Sequence, residues 1–313
     1  MTRVAVLAGG RSPEREVSLR SGHRVMTALR LRGHDADVLD PAEVPLVERL
    51  ESLAPDVCYV ALHGKDGEDG TVQRVLDALR LPYTGARAFA CQIAFDKVLA
   101  KERLRAAGVP TPAWTTIQAA ALRDLGGGPL LHRAVERVGL PAVLKPSRAG
   151  SAMGISFVER EADLPAAVMS GLSFSDAVVV ERRIVGTEVA IALVEGVEEL
   201  PLVEIAPKSG VFDYAARYTA GATEYYAPAR LSPETTGACR GAARAAFDAL
   251  AMRHVSRADI LVDAAGEPWV VDVNVSPGMT DTSLLPMAAE AGGIGFAELC
   301  ERIVELAAST SER

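Results

Sequence analysis

The sequence predicts a mixed architecture, a parallel α/β unit followed by α+β units, and three observations carry that expectation. From residue 1 to about residue 96, short apolar runs alternate with helix-length segments, as strands do when joined by crossover helices. Between Pro141 and Val158 two strand-like runs flank a loop of small residues. Between Arg257 and Ser283 two short strands flank Ala264-Ala265-Gly266-Glu267-Pro268, a connection of hairpin length with Gly and Pro as turn formers.

Taken in order, Val4 to Ala8 reads as a buried strand that runs into Gly9-Gly10 and then a helix through about Arg32. Ala36 to Leu39 and Val57 to Leu62 read as further strands. In such sheets ligands sit beyond the carboxyl ends of the strands. Two polar loops fall there, Gly9 to Ser18 and His63 to Gly70. The first lacks GxGxxG, which disfavours a dinucleotide site. On pattern alone Glu16 is a solvated helix-start glutamate and His63 a structural strand-end histidine. Pro82-Tyr83-Thr84-Gly85 turns into a helix that contains Asp96-Lys97, and Leu125 to Pro129 is a surface loop.

Pro141 to Lys145 is an apolar strand ending in a lysine, followed by Ser147 to Gly154 and a second strand, Ile155 to Val158. The lysine precedes the glycines, so this is no P-loop. The physics still suits a phosphate: small residues let backbone N–H groups close on an anion beside a point charge. Val178 to Glu181 is a buried strand ending in a carboxylate, for which a strand-end salt bridge is the competing reading. Residues 233–253 and 295–309 read as packing helices.

In the hairpin, strand alternation puts Arg257 and Asp259 on one face, and Asp272 and Asn274 likewise. If Asp263 pairs with Pro268, Asp259 falls opposite Asp272 and Arg257 opposite Asn274. Opposed carboxylates repel, costing roughly 0.2–1 kcal/mol. Their placement makes sense where hard cations lie between them, since Mg²⁺ takes oxygen ligands from one or two carboxylates plus phosphates. A solvated hairpin face is the plainer reading. The Ser276-Pro277-Gly278 turn, which brings backbone N–H groups to the same patch, favours a site.

Asp272-Val273-Asn274-Val275-Ser276-Pro277-Gly278-Met279-Thr280, with Ser283-Leu284 after it, resembles the closing motif of the D-alanine–D-alanine ligases, members of the ATP-grasp superfamily. The resemblance extends from about Val4 to Leu306. It implies an ATP-grasp fold, with an N-terminal α/β unit over residues 1–96, a central unit over 97–184 and a C-terminal unit over 185–313, the last two sandwiching ATP. It implies ligation of two D-alanines through an acyl phosphate, for peptidoglycan precursor synthesis. Glu16, in its Arg-Glu-Val-Ser context, would contact the first D-alanine, with His63 beside it. Lys97 and Lys145 would reach the phosphates, Ser151 would tie a lid shut, Glu181, Arg182 and Ile184 would pass the adenine edge, and Glu188 would hold the ribose. Two Mg²⁺ ions, with Mn²⁺ as a possible substitute, would sit on Asp259, Asp272 and Asn274. Arg257 and the Gly278 N–H would stabilise the oxyanion, and Arg217, Ser283 and Leu284 would cradle the second D-alanine's carboxylate. Tyr218, linked to Ser151 and Glu16, would go with D-alanine as second substrate.

Three positions depart from the family's pattern. Asp272 stands where glutamate is usual, one methylene short of bridging both ions. Ala149 replaces a common lid glutamate, and Arg217 replaces a lysine, a planar fork for a point charge. Two alternatives therefore stay open: a related ligase with D-serine or a biosynthetic dipeptide acceptor, and a nucleotide-binding homologue with impaired catalysis.

Composition bounds the rest. A chain of 313 residues, 49% hydrophobic and 24% charged, can form two or three compact units of a soluble class. Its net charge of −8 argues against nucleic-acid and anionic-membrane partners. Cys58, Cys91, Cys239 and Cys300 show no metal-like spacing, which fits a reducing compartment. With no apolar run near the ~20 residues that span a bilayer and no secretory h-region at Arg3 to Ala8, a cytoplasmic location is expected. The family resemblance implies a homodimer.

Overall fold

The structure is a computed structural model that describes residues 1–210, 212, 216, 219 and 221–309. Among these residues the strands form three sheets. In the first, β1 (Arg3–Leu7) lies between β2 (Asp35–Leu39) and β3 (Val57–Val60), all parallel. The helices α1 (Arg15–Leu31), α2 (Leu46–Leu53) and α3 (Thr71–Ala78) alternate with these strands as the α/β reading expects. β3 ends at Val60, so Ala61 to Gly70 is free to form the polar loop.

The helix expected around Asp96-Lys97 is instead two, α4 (Ala88–Phe95) and α5 (Lys97–Ala106). Asp96 takes an extended conformation and caps α5, its carboxylate accepting from Val98 N at 3.0 Å and Leu99 N at 3.4 Å. Asp competes for the unpaired N–H groups of a helix start, and that breaks the helix here.

The second sheet, in the order β4-β7-β5-β6, is antiparallel and comprises β4 (Trp114–Gln118), β5 (Ala142–Pro146), β6 (Ser156–Val158) and β7 (Ala177–Arg182). The helices α6 (Ala119–Asp124), α7 (Leu130–Val138) and α8 (Leu164–Leu172) accompany it. Ile117, Leu144, Leu164, Val178 and Val180 form a core confined to this unit.

The third sheet runs β10-β9-β8-β11-β12, also antiparallel. Its strands are β8 (Thr187–Val194), β9 (Val203–Pro207), β10 (Thr223–Tyr226), β11 (Val255–Val262) and β12 (Pro268–Asn274). The helices α9 (Pro233–Ala249) and α10 (Leu284–Ala291) pack on it, and α11 (Phe296–Ser309) packs on α1, β3 and α10. One core joins Val4, Val6 and Tyr59 of the first sheet to Ala190, Val203 and Ile205 of the third, with Leu285 and Ile303 between. On its other face Ile191, Ile260 and Val270 pack on Phe247 and on Ile93 and Leu104 of α4 and α5. The first and third sheets are therefore joined through apolar burial, α5 packs with the third sheet, and the second sheet has a core of its own. Among the described residues no helix is long and apolar enough to cross a membrane.

The hairpin register is right where it matters and shifted at the turn. Asp259 faces Asp272 and Arg257 faces Asn274. Val262, not Asp263, pairs with Pro268, and the register shift falls between Asp259 and Ile260. Asp263 is drawn into the turn instead, its carboxylate accepting from Ala265 N, Glu267 N and Trp269 Nε1 at 2.9, 3.0 and 2.9 Å. The bulge restores the polar face beyond the turn.

Candidate active site

A cavity of about 550 Å³ opens where the three units meet. Its floor is the β11–β12 hairpin. Arg257 and Asp259, two apart on one strand, form a bidentate pair at 2.7 and 2.8 Å, both buried. Burial works against the guanidinium's charge, but Asp259 outweighs it and holds the group well above its ordinary pKa. Across the ladder Asp272 meets Lys97 Nζ at 3.4 Å. Each opposed carboxylate thus has a cation beside it. Among the described residues no three His, Cys, Asp or Glu side chains are grouped to hold a metal ion. The oxygen donors here are two carboxylates and Asn274 Oδ1, which accepts from Ser276 N at 2.9 Å and keeps a second lone pair.

One wall is a buried ion triad. Glu181, only 2% exposed, lies between Lys101 and Lys145. Lys101 Nζ is 2.8 Å from Glu181 Oε2, and Lys145 Nζ is paired with Oε1. Lys101 also donates to Thr111 Oγ1 at 2.7 Å and Pro112 O at 3.3 Å. Burial pushes Glu181 up, yet the two lysines overcome it and hold the carboxyl below its ordinary value. Lys145 is opposed by burial and held up by Glu181. Lys101 goes the other way, its burial outweighing the same carboxylate. Two ammoniums on one carboxylate leave a net positive wall, and Lys145 and Glu181 both line the cavity. The salt-bridge reading of Glu181 holds for its side chain.

The loop 147–154 forms the roof. Lys97 N donates to Ser147 O at 2.8 Å, Lys97 Nζ to Ala149 O at 3.1 Å, and Arg148 Nε to Asp96 at 2.9 Å. Ser151 and Ala152 carry φ of 51° and 57°, the left-handed region that side chains other than glycine enter at a cost. Ser151 Oγ donates to Glu14. Glu14 is wedged between two glycines: a Cβ on Gly64 would lie 2.4 Å from its carboxylate, and one on Gly150 would lie 2.5 Å away. Burial and then Glu68 raise the Glu14 pKa, partly offset by the Ser151 hydroxyl. His63, buried beside them, is 3.9 Å from Glu68 and 3.4 Å from Ser21 Oγ.

At one end the lining is apolar, with Ile155, Phe157, Ile184 and Val185, and Glu188 stands at its border. At the other, Gly278, Ser283 and Leu284 close the cavity. Ser283 Oγ accepts from Thr280 N at 3.0 Å, and a Cβ on Gly278 would meet that oxygen at 2.8 Å. A cavity with an apolar end, a cationic wall, opposed carboxylates and a glycine turn is built for a polyanion with an apolar head.

The family model described as D-ala D-ala ligase C-terminus matches residues 104–305, and that of the N-terminus matches residues 42–86. The D-alanine–D-alanine ligase of Anaeromyxobacter sp. strain K is 41% identical over 306 residues, 98% of this chain and 97% of the relative. This chain belongs to the D-alanine–D-alanine ligase family. The ligase of Pelotomaculum thermopropionicum is 39% identical over 307 residues, 97% of this chain and 96% of that one. Among solved structures, the Bacillus anthracis ligase complexed with ATP superposes with a TM-score of 0.85 at 29% identity, covering 100% of this chain and 99% of that one. The same ligase without ATP in its description gives 0.83 at 30% identity, with coverage again of 100% and 99%.

Against this family frame, most residues expected from the sequence meet in the cavity: His63, Lys97, Lys145, Ser151, Glu181, Ile184, Glu188, Arg257, Asp259, Asp272, Asn274, Gly278, Ser283 and Leu284. Two do not. Glu16 sits in the first turn of α1 with its side chain exposed; the carboxylate at the cavity is Glu14, one residue before the helix begins. Arg182 is exposed at the end of β7, and Arg183 takes the cavity edge, its guanidinium 5.3 Å from the Phe157 ring. Arg217 and Tyr218 lie outside the described residues. Sequence reasoning also missed Glu68 and Lys101, one in a loop of several carboxylates and the other on a helix where an exposed lysine is the ordinary expectation.

Proposed function

We propose that this chain joins two D-alanines at the expense of ATP, forming D-alanyl-D-alanine, ADP and phosphate for peptidoglycan precursor synthesis. The observation that carries the reading is one cavity that brings together the Glu181–Lys145 pair, the opposed Asp259 and Asp272, and the Glu14–Ser151 pair.

ATP lies with its adenine against Ile184 and the neighbouring linker backbone, its ribose at Glu188, and its phosphates at Lys145 and Lys97. Glu14 takes the ammonium of the first D-alanine in the place expected of Glu16, with His63 beside it. That orients its carboxylate toward the γ-phosphorus. A carboxylate oxygen bonds to phosphorus, the bond to the β-bridging oxygen breaks, and an acyl phosphate and ADP result. Positioning and charge neutralisation are what this step asks of the protein. The oxygens of Asp259, Asp272 and Asn274 fit Mg²⁺, two ions in the family's manner with Mn²⁺ as a substitute, and bound there the metal supplies positive charge to the phosphates.

The amine of the second D-alanine then attacks the acyl carbon, a C–N bond forms, and phosphate leaves with the C–O bond. The Gly278 N–H and Arg257 face the developing oxyanion. Ser283 and Leu284, with Arg217, hold the second carboxylate, and Tyr218 favours an amine acceptor. The 147–154 loop, tied down through Ser151 and Glu14, keeps water from the acyl phosphate. The reading places the protein in the cytoplasm as a homodimer.

The test is phosphate release from ATP and Mg²⁺ with D-alanine, L-alanine, D-serine or D-lactate, with the product identified by mass. D-Alanine alone yielding its dipeptide is the expected result. Turnover only with another acceptor would overturn the substrate, and ATP binding without turnover would overturn the activity.

A further inference from the structure

We propose that Ser21 and Arg24 of α1 are positioning residues that hold the Gly278 turn for amine attack; the inference rests on the functional reading above. Neither side chain lines the cavity. Ser21 is fully buried, and its Oγ accepts from Met279 N at 3.1 Å. The same oxygen lies 3.4 Å from His63 Nε2. One turn along the helix, Arg24 Nη1 donates to Met279 O and to Thr280 O, both at 3.0 Å, while Nε pairs with Asp281 at 2.8 Å. The guanidinium carbon lies over the Phe296 ring, 3.6 Å from its centre.

These contacts fix three consecutive peptide groups just after Gly278. On the far side of the turn, Ser276 N is held by Asn274 and Ser276 Oγ donates to Val60 O at 3.3 Å. A glycine turn has little stiffness of its own, so the direction of the Gly278 N–H is set by what grips its neighbours. Arginine suits the task because its fixed fork reaches two carbonyls and a carboxylate at once. The grip also comes from the unit that carries His63 and Glu14, so the oxyanion donor is referenced to the first D-alanine's pocket. Lys97 and Lys145, which serve phosphoryl transfer, touch none of it. Loosening the grip therefore slows the second step and spares the first.

The experiment compares Arg24→Gln, Ser21→Ala and Arg24→Lys with the parent protein. Dipeptide turnover is measured beside positional isotope exchange in ATP carrying a heavy oxygen in the β,γ-bridge, which reports acyl phosphate formation and reversal. Arg24→Gln and Ser21→Ala should lower dipeptide turnover about tenfold to a hundredfold, as small misplacements do, with exchange maintained or raised, since slower amine attack leaves more acyl phosphate to revert. Arg24→Lys, which keeps the charge and a donor, should recover part of the loss, and its thermal midpoint separates positioning from unfolding. Exchange and turnover falling together, or neither falling, would overturn the inference. A parent protein that makes no dipeptide fails the functional reading itself, whereas an active parent with indifferent variants fails only this proposal.

Discussion

Replacing Glu181 by glutamine removes a carboxylate that two buried lysines share. Lys101 and Lys145 are 4% and 9% exposed, and Lys101 Nζ lies 2.8 Å from the carboxylate oxygen. Breaking a buried pair costs about 3–5 kcal/mol because a charge is left uncompensated. A lysine can escape by giving up its proton. From an ordinary pKa of ~10.4 that costs at most about 4–5 kcal/mol per lysine near neutral pH, at 1.36 kcal/mol per unit. Lys101 is the one to do so, since burial already depresses it with Glu181 in place. A depressed lysine pKa means that the unfolded chain binds more protons, so the variant gains stability as pH rises toward the unfolded pKa. In the parent, Lys145 is raised, and its contribution is present below the unfolded value and lost as pH climbs through the folded one. The gap between the two proteins should thus shrink by up to about 1.4 kcal/mol per pH unit above neutrality. Urea unfolding of Glu181→Gln, read by Trp114 fluorescence in a Trp269→Phe background, measures it locally, because Trp114 pairs directly with Glu181 in the β4–β7 ladder. A loss below about 1 kcal/mol near neutral pH, or one that grows with pH, would refute the triad as a stabilising unit.

Glu14→Gln should raise KM for D-alanine about tenfold to a hundredfold, while Glu16→Gln leaves it unchanged. Because burial raises Glu14, the parent's kcat/KM for D-alanine should fall on the acid side above the ordinary carboxylate range; Glu14→Gln should remove that limb, as a pH profile checks. Asp272→Asn should leave the thermal midpoint in place but demand about tenfold more Mg²⁺ for half-maximal rate, measured by metal titration. Gly186→Ala should lower the thermal midpoint and weaken ATP binding, because a Cβ there would stand 1.8 Å from Val262 O, a backbone atom that cannot step aside.

The hairpin was legible because a strand's period of two and a short turn leave few registers, and the bulge moved only the turn end. The α/β alternation was equally plain from Val4 to Val60. Glu14 was not separable from Glu16 by pattern: they lie two apart at a helix start, and only the place where α1 begins, at Arg15, decides which faces the cavity. The break at Asp96 was hidden because an apolar run continues on both sides of it, and capping chemistry won over periodicity. Lys101 could not be found from sequence at all. Its partner arrives from β7, and a helix lysine is ordinarily exposed. Glu68 shares its loop with Asp66 and Asp69, and nothing in the spacing selects it.

The most direct test of the central claim follows oxygen rather than rate. With D-alanine labelled by heavy oxygen at both carboxyl positions, an acyl phosphate requires one labelled oxygen to leave with phosphate and one to remain in the amide carbonyl. Mass spectrometry of phosphate and dipeptide from ATP, Mg²⁺ and this protein should show that partition, one label per phosphate. Unlabelled phosphate alongside dipeptide would contradict it, since the carboxylate would then never have been phosphorylated.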